Sequence, residues 1–235
     1  MQYKTYEQLK NQVLREVDME AEDFIQPEEI KDYFNDAVNE CEAHIHKLGL
    51  EDDYFLKTTS PGLSLTNGQQ TLDFPSDIYA TKIRGITYTT PERVYQIHRI
   101  KGKDKFREIQ NLIQQANTGL NYRYQISNNS ASEGYKIQLF PYSYETRSNC
   151  IVIDYIRNAN EIVDNTSIVD IPEFYSFIKA YVKYKLLDKE GNVKASDAQA
   201  DYIKERDLML ATLAEMTPDY DEGIQPDISI YGEMS

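Results

Sequence analysis

Apolar residues recur at the helical period near both ends of the chain and at the strand period in between. After Thr5, a residue type that caps helices, Tyr6, Leu9, Val13, Leu14 and Val17 fall at spacings of three and four, which predicts a helix ending near Asp18. Pro27 stands where a first-turn proline belongs, and Glu28 and Glu29 favour the positive end of a helix dipole. Ile30, Phe34, Ala37, Val38, Cys41, Ile45 and Leu48 then draw one continuous stripe before Gly49 stops the helix. Within it Ile30, Phe34, Val38, Cys41 and Ile45 read as core, with a seam between subunits as the alternative. The helical period returns after Ile171-Pro172 with Phe174, Ile178, Tyr181, Val182 and Leu186 and stops at Gly191-Asn192. A last helix runs from about Val193 to Met216 on Ala198, Tyr202, Met209 and Leu213, closed by Pro218.

The middle reads as short β runs. Leu63–Leu65 and Gln70–Phe74 flank Asn67-Gly68, the strongest short signal for a hairpin. Ile78–Tyr88, Arg93–Ile100, Tyr122–Ser127, Tyr135–Phe140 and Cys150–Arg157 are further strands, with Asn128-Asn129-Ser130 and Pro141 as punctuation. Lys103–Asn117 reads as a short helix on Phe106, Ile109, Leu112 and Ile113. The pattern predicts an α+β fold: a helical bundle built from both ends (1–53 and 172–216), an inserted β-rich domain (54–171) and an extended C-terminal tail (217–235).

Charge follows the same division. Residues 1–53 carry 5 basic and 15 acidic side chains, residues 54–171 carry 13 and 11, and residues 172–235 carry 7 and 13, for a net charge of −14 over 235 residues. A chain this long buries a sizeable core without disulfides or metal. The two cysteines, Cys41 and Cys150, offer no zinc spacing and no disulfide framework, and read as small buried hydrophobes. No apolar run approaches the ~20 residues of a membrane span, and Met1–Leu14 is too polar for an ordinary signal peptide, so no membrane association is expected. The aromatic set is 19 Tyr, 8 Phe and no Trp, a composition suited to wet protein interfaces.

Motifs that carry chemistry are scarce. His44 and His46 sit two apart on a helix and point roughly 200° from each other, which cannot bring both to one metal. Cys41 and His44 share a face without further ligands nearby. Acidic runs such as Asp18–Asp23 and Glu51–Asp53 have the grouping of solvated surfaces, and Asp188–Asn192 lacks the alternating ligands of a calcium loop and reads as a helix–helix turn. No phosphate loop, dinucleotide fingerprint or nucleophile elbow occurs. These readings predict a non-enzyme without metal or cofactor. The one basic cluster, Arg99, Lys101, Lys103, Lys105 and Arg107, is a candidate contact patch. A net −14 opposes duplex binding, so a solvated loop or a patch that meets an acidic neighbour suits these residues better than a DNA contact.

The order of elements and several short motifs resemble a known arrangement: Asn35–Glu40 in the second helix, the Leu72–Asp77 turn, a strand ending Asp154-Tyr155-Ile156-Arg157, Ile-Pro before a Tyr-rich helix, and Lys189–Asn192 before the last helix. From about Tyr3 to Met216 the chain resembles the head-to-tail adaptor (connector) proteins of tailed bacteriophages, the group that includes the tail tubular protein A of short-tailed phages. The resemblance implies a structural virion protein of the neck or tail, assembled in the host cytoplasm. It implies a homo-oligomeric ring, commonly of twelve copies, docked between the portal protein and the next tail or ring protein. Double-stranded DNA would pass through such a ring without sequence-specific binding, and acidic walls would leave that passage unhindered.

The tail carries five acids and no base, and Tyr220, Ile224, Ile228, Ile230 and Tyr231 give it spaced apolar positions suited to adding a strand or filling a groove on another subunit. The resemblance implies a grip on the portal, with a disordered terminus as the alternative reading. Two other functions are compatible with the residues: a tail or baseplate module contacting another virion protein or a glycan, against which the absence of Trp counts mildly, and a metal-dependent hydrolase, against which the missing nucleophile motifs and few histidines count.

Overall fold

The computed structural model describes residues 2–18, 25–100, 122–130, 134–143 and 145–216. They form two compact units, one from the described residues of Met1–Leu50 and Glu161–Ser235 and one from those of Glu51–Asn160.

The helical unit holds α1 (Tyr6–Glu16), α2 (Pro27–Leu48), α4 (Tyr175–Glu190, entered through a 3-10 turn at Pro172–Phe174) and α5 (Ala195–Met216). Local signals set its helix ends. Thr5 accepts the Gln8 backbone N–H while the Gln8 side chain accepts the Thr5 N–H, a reciprocal cap that occupies two otherwise orphaned donors. Pro27 opens α2, and Gly49 and Gly191 close α2 and α4 at φ 74° and 68°, a left-handed conformation that costs glycine little. The last helix begins at Ala195, two residues after the expected Val193, because the Asn192 side chain accepts the Lys194 N–H and holds the turn open.

The apolar stripe of α2 lies inside: Ile30, Phe34, Val38, Cys41 and Ile45 are all buried. Tyr6 of α1 meets the Phe34 ring edge-on at 5.3 Å, and Cys41 Sγ lies 3.5 Å from Met209 Sδ of α5. The connector 161–171, read from sequence with the β-rich segment, packs in the helical unit through buried Ile162, Val169 and Ile171. Asn35 staples it: its amide donates to the Ile162 carbonyl at 3.2 Å and accepts the Ile162 N–H at 2.9 Å. Thr5 and Ile168 add an antiparallel bridge.

The second unit starts with α3 (Glu51–Phe55) and continues into two sheets. In one, β9 (Arg147–Arg157) pairs on one side with β1 (Leu56–Thr58) and β2 (Leu63–Leu65) and on the other with β4 (Ile78–Thr89), which pairs with β5 (Val94–Gln96). The other runs β3 (Thr71–Asp73), β8 (Gly134–Phe140), β7 (Arg123–Ser130) and β6 (His98–Arg99), the last pair parallel. Both sheets supply one core: Leu65, Ile86, Tyr88, Ile151 and Ile153 from the first meet Leu72, Tyr124, Ile137 and Leu139 from the second.

Three expectations change here. Asn67-Gly68 makes a turn, with the Gln69 N–H donating to the Thr66 carbonyl at 3.0 Å, but β2 and β3 do not pair with each other. The turn carries the chain from one sheet to the other, because Leu65 and Leu72 enter the same core from opposite sides. Arg93–Ile100 is likewise two strands in different sheets, with buried Ile97 at the crossing, its N–H donating to the Ile86 carbonyl at 2.8 Å. Asn128–Ser130 is strand, since a register irregularity lets β7 continue until Ser130 pairs with Gly134. The expected helix Lys103–Asn117 lies outside the described residues.

Candidate functional site

Neither candidate cluster from the sequence is fully described. Arg99 lies in β6 beside Tyr124, at an exposed position. Lys101, Lys103, Lys105 and Arg107 lie outside the described residues, as do Tyr220, Ile224, Ile228, Ile230 and Tyr231. Among the described residues no three His, Cys, Asp or Glu side chains gather as for a metal. Cys41 is buried against Met209, and burial pushes its thiol well above the ordinary range. No described helix is long and apolar enough to cross a membrane.

The structure instead assembles an aromatic ladder in the helical unit. Phe177, Tyr181 and Tyr184 follow one another on α4 at spacings of four and three, so they share a face. Tyr202 of α5 meets all three: Phe177 at 5.8 Å, Tyr181 edge-on at 5.5 Å and Tyr184 nearly parallel at 5.9 Å. Its hydroxyl donates to Glu40 of α2 at 3.0 Å. Cations cover the rings, Lys185 at 5.4 Å from Tyr181 and Arg206 at 5.7 Å from Tyr202. Burial, then Asp36 and Glu40, push the Tyr181 hydroxyl up to about 12, and burial with the Glu40 bond raises that of Tyr202, so both remain donors at neutral pH. Tyr181, Tyr184 and Tyr202 are half-buried. Half-buried tyrosines beside an arginine have the composition of interface anchors. The sequence held the spacing 177, 181 and 184 but no sign that Tyr202 would meet it.

Next to the ladder, α5 is sparsely covered. Of its 22 residues only Ala198, Met209 and Leu213 are buried, while Ile203 and Leu208 are 42% and 53% exposed. These exposed apolar side chains extend the surface available to a protein partner.

In the β-rich unit, β4 is interrupted. Ile78 pairs with Arg157 and Ile83 with Tyr155, so five residues of β4 span two of β9, and Ala80 and Thr81 take φ of 45° and 57°. A β-branched residue at such a φ costs of order 1–3 kcal/mol. Just beyond the bulge, Lys82 and Arg84 hold the buried Glu51 carboxylate at 2.9 and 3.0 Å, and Arg84 also reaches Asp52 at 2.6 Å. Burial alone would raise the Glu51 pKa, but the Lys82 hydrogen bond and the charges of Lys82 and Arg84 outweigh it and hold the carboxyl below its ordinary range. A lowered folded-state pKa stabilises above the unfolded value of about 4.5, and that stabilisation is lost as pH falls through the folded value. Glu51→Gln is therefore expected to melt at lower urea than the parent at pH 6–7, with the gap closing below about pH 4. Urea midpoints measured across pH test this, and a gap that does not change with pH would remove the role given to the charge.

The comparison that decides the family covers most of the chain: residues 4–225 match the model of the SU10 adaptor protein. The chain belongs to the SU10 adaptor protein family. No curated protein matches it. Membership in this adaptor family makes the chain a structural adaptor of a bacteriophage that associates with other virion proteins. The match carries the resemblance to phage adaptors but not the narrower likeness to tail tubular protein A. The ladder and the exposed Ile203 and Leu208 of α5 form the aromatic and apolar surface of the helical unit described above.

Proposed function

We propose that the chain is a head-to-tail connector: a ring of copies, twelve in the first instance, that joins the portal protein to the next tail or ring protein and forms part of the channel for genome passage. The match to the adaptor family over residues 4–225 carries this reading. The strongly acidic segment 1–53 and the net charge of −14 are consistent with a wall that does not hold passing double-stranded DNA. On this reading the protein acts as a structural component without a cofactor, and its place is the virion neck, after assembly in the host cytoplasm. The helical bundle, the inserted β-rich segment and the tail 217–235 then have separate duties. Tyr220, Ile224, Ile228, Ile230 and Tyr231 of the tail dock on the portal or a neighbouring copy, and Arg99, Lys101, Lys103, Lys105 and Arg107 face an acidic neighbour.

Light scattering coupled to size exclusion tests the reading, with the protein alone and mixed with its portal. The expected result is a 27.3 kDa chain that enters a large stoichiometric complex with the portal. A chain that ignores the portal would overturn it. Deleting residues 217–235 is expected to leave the helical circular dichroism and its melting midpoint unchanged while weakening portal association at least tenfold. Unaltered association would remove the tail from the contact.

A further inference from the structure

The last helix leaves one whole side exposed. Its buried residues, Ala198, Met209 and Leu213, fall within about 60° of one another around the helix, at about 100° per residue. About 180° away lie Ala200, Lys204, Asp207 and Ala211, spaced four, three and four, with Ile203 on one flank and Leu208 on the other. All six are exposed. Lys204 meets no carboxylate among the described residues, and Asp207 meets only the neighbouring Arg206, at 3.8 Å.

This side is complementary to itself when a second copy's α5 lies on it antiparallel. A two-fold axis between Glu205 and Arg206 sets Lys204 opposite Asp207 of the second copy and Asp207 opposite its Lys204, so one contact forms two pairs of opposite charge. Ala200 falls opposite Ala211 of the second copy, which lets the helices approach closely on both sides of the charged centre. Ile203 meets its own counterpart along one flank and Leu208 meets its own along the other, removing from water the apolar groups that the single chain exposes. A parallel pair would set lysine against lysine and aspartate against aspartate, and an antiparallel register centred on either residue would do the same to that residue. Asp197 and Glu215 stand toward the ends of the contact, where crossing helices diverge. Exposed ion pairs add little affinity, so Lys204 and Asp207 set the register while Ile203 and Leu208 supply the attraction. With about 17 Å of helix between Ala200 and Ala211, the contact buries less than the roughly 1,200 Å² of a standard interface and is reversible.

We propose that α5 is a self-docking surface, through which two copies of the chain associate reversibly with their α5 helices antiparallel and Lys204 of each paired to Asp207 of the other. The contact does not rest on the connector reading, since it follows from the residues of one helix, and its failure leaves the portal experiment as it stands.

The test is sedimentation equilibrium of the full chain at concentrations up to about 200 µM, a range that reaches weak dissociation constants. The mass is expected to rise with concentration from 27.3 kDa toward twice that value. Lys204→Glu and Asp207→Lys are each expected to raise the dissociation constant at least fivefold, because each turns both attractive pairs into repulsive ones. Both side chains are exposed, so helical circular dichroism is expected to stay unchanged. An equal mixture of the two variants restores opposite charge at both pairs and is expected to associate within about twofold of the parent. A parent mass that stays at 27.3 kDa, association indifferent to either substitution, or a mixture that associates no more tightly than the variants alone would each overturn the proposal.

Discussion

Val38→Asp is expected to unfold the helical unit. Val38 is 2% exposed at the middle of α2, between Phe34 and Cys41, both fully buried. The described side chains along this stripe, Phe34, Ala37, Cys41 and Ile45, are apolar, so the new carboxylate must either stay charged without a partner or take up a proton. Either route costs several kcal/mol, a large part of a total stability of about 5–15 kcal/mol. Val38→Ala is the control, since it leaves a small cavity without a charge. Helical circular dichroism and urea unfolding of the monomer separate the outcomes. A Val38→Asp monomer that keeps its signal and midpoint but fails to assemble would identify the stripe as a seam between copies.

The second large effect is expected from Tyr88→Ala. Tyr88 is fully buried in the β-rich unit, edge-on to Tyr122 at 5.2 Å and 6.4 Å from Tyr95, with the Arg147 guanidinium 5.8 Å above its ring. Its hydroxyl donates to Glu145, which Arg147 also holds at 3.0 Å. Removing the ring opens a cavity between the sheets, at a cost of about 3–5 kcal/mol. Tyr88→Phe keeps the ring and removes only the hydroxyl bond, at about 1 kcal/mol, because Glu145 retains Arg147. The ordering Ala far below Phe in urea midpoint is the result to look for. Equal losses would mean that the hydroxyl, and not the ring, secures the two sheets.

Those two sites differ in how they were legible. The stripe around Val38 and the caps at Thr5, Pro27, Gly49 and Gly191 are local signals, written within one or two helical turns, and a sequence displays them directly. Tyr88 was visible as a strand residue, but its neighbours were not, because Tyr122 and Arg147 come from strands and loops far along the chain. The Asn67-Gly68 turn shows the limit in one place. A turn is decided by its own residues, whereas the partner of the next strand is decided by which core Leu65 and Leu72 must share. Ile97 shows it again, since an unbroken apolar run gives no mark where one strand leaves its sheet for another. The aromatic ladder depended on Tyr202 meeting α4, a contact between helices that no spacing within either one encodes. Of the residues singled out as contacts, Arg99 alone lies within the described structure, and 217–235 rest on composition.

The split helical unit has a consequence for synthesis. Ribosomes deliver α1 and α2 first, yet Met209, which meets Cys41, and the buried Leu213 come from the last helix. Between them lies the whole of Glu51–Asn160, which is finished and free to close while the α2 stripe still lacks its cover. At 5–20 residues per second, making those residues takes roughly 5–20 s. During that interval Phe34, Val38 and Ile45 face the nascent chain's surroundings, so the helical half of the molecule is the half whose first encounters a chaperone would guard.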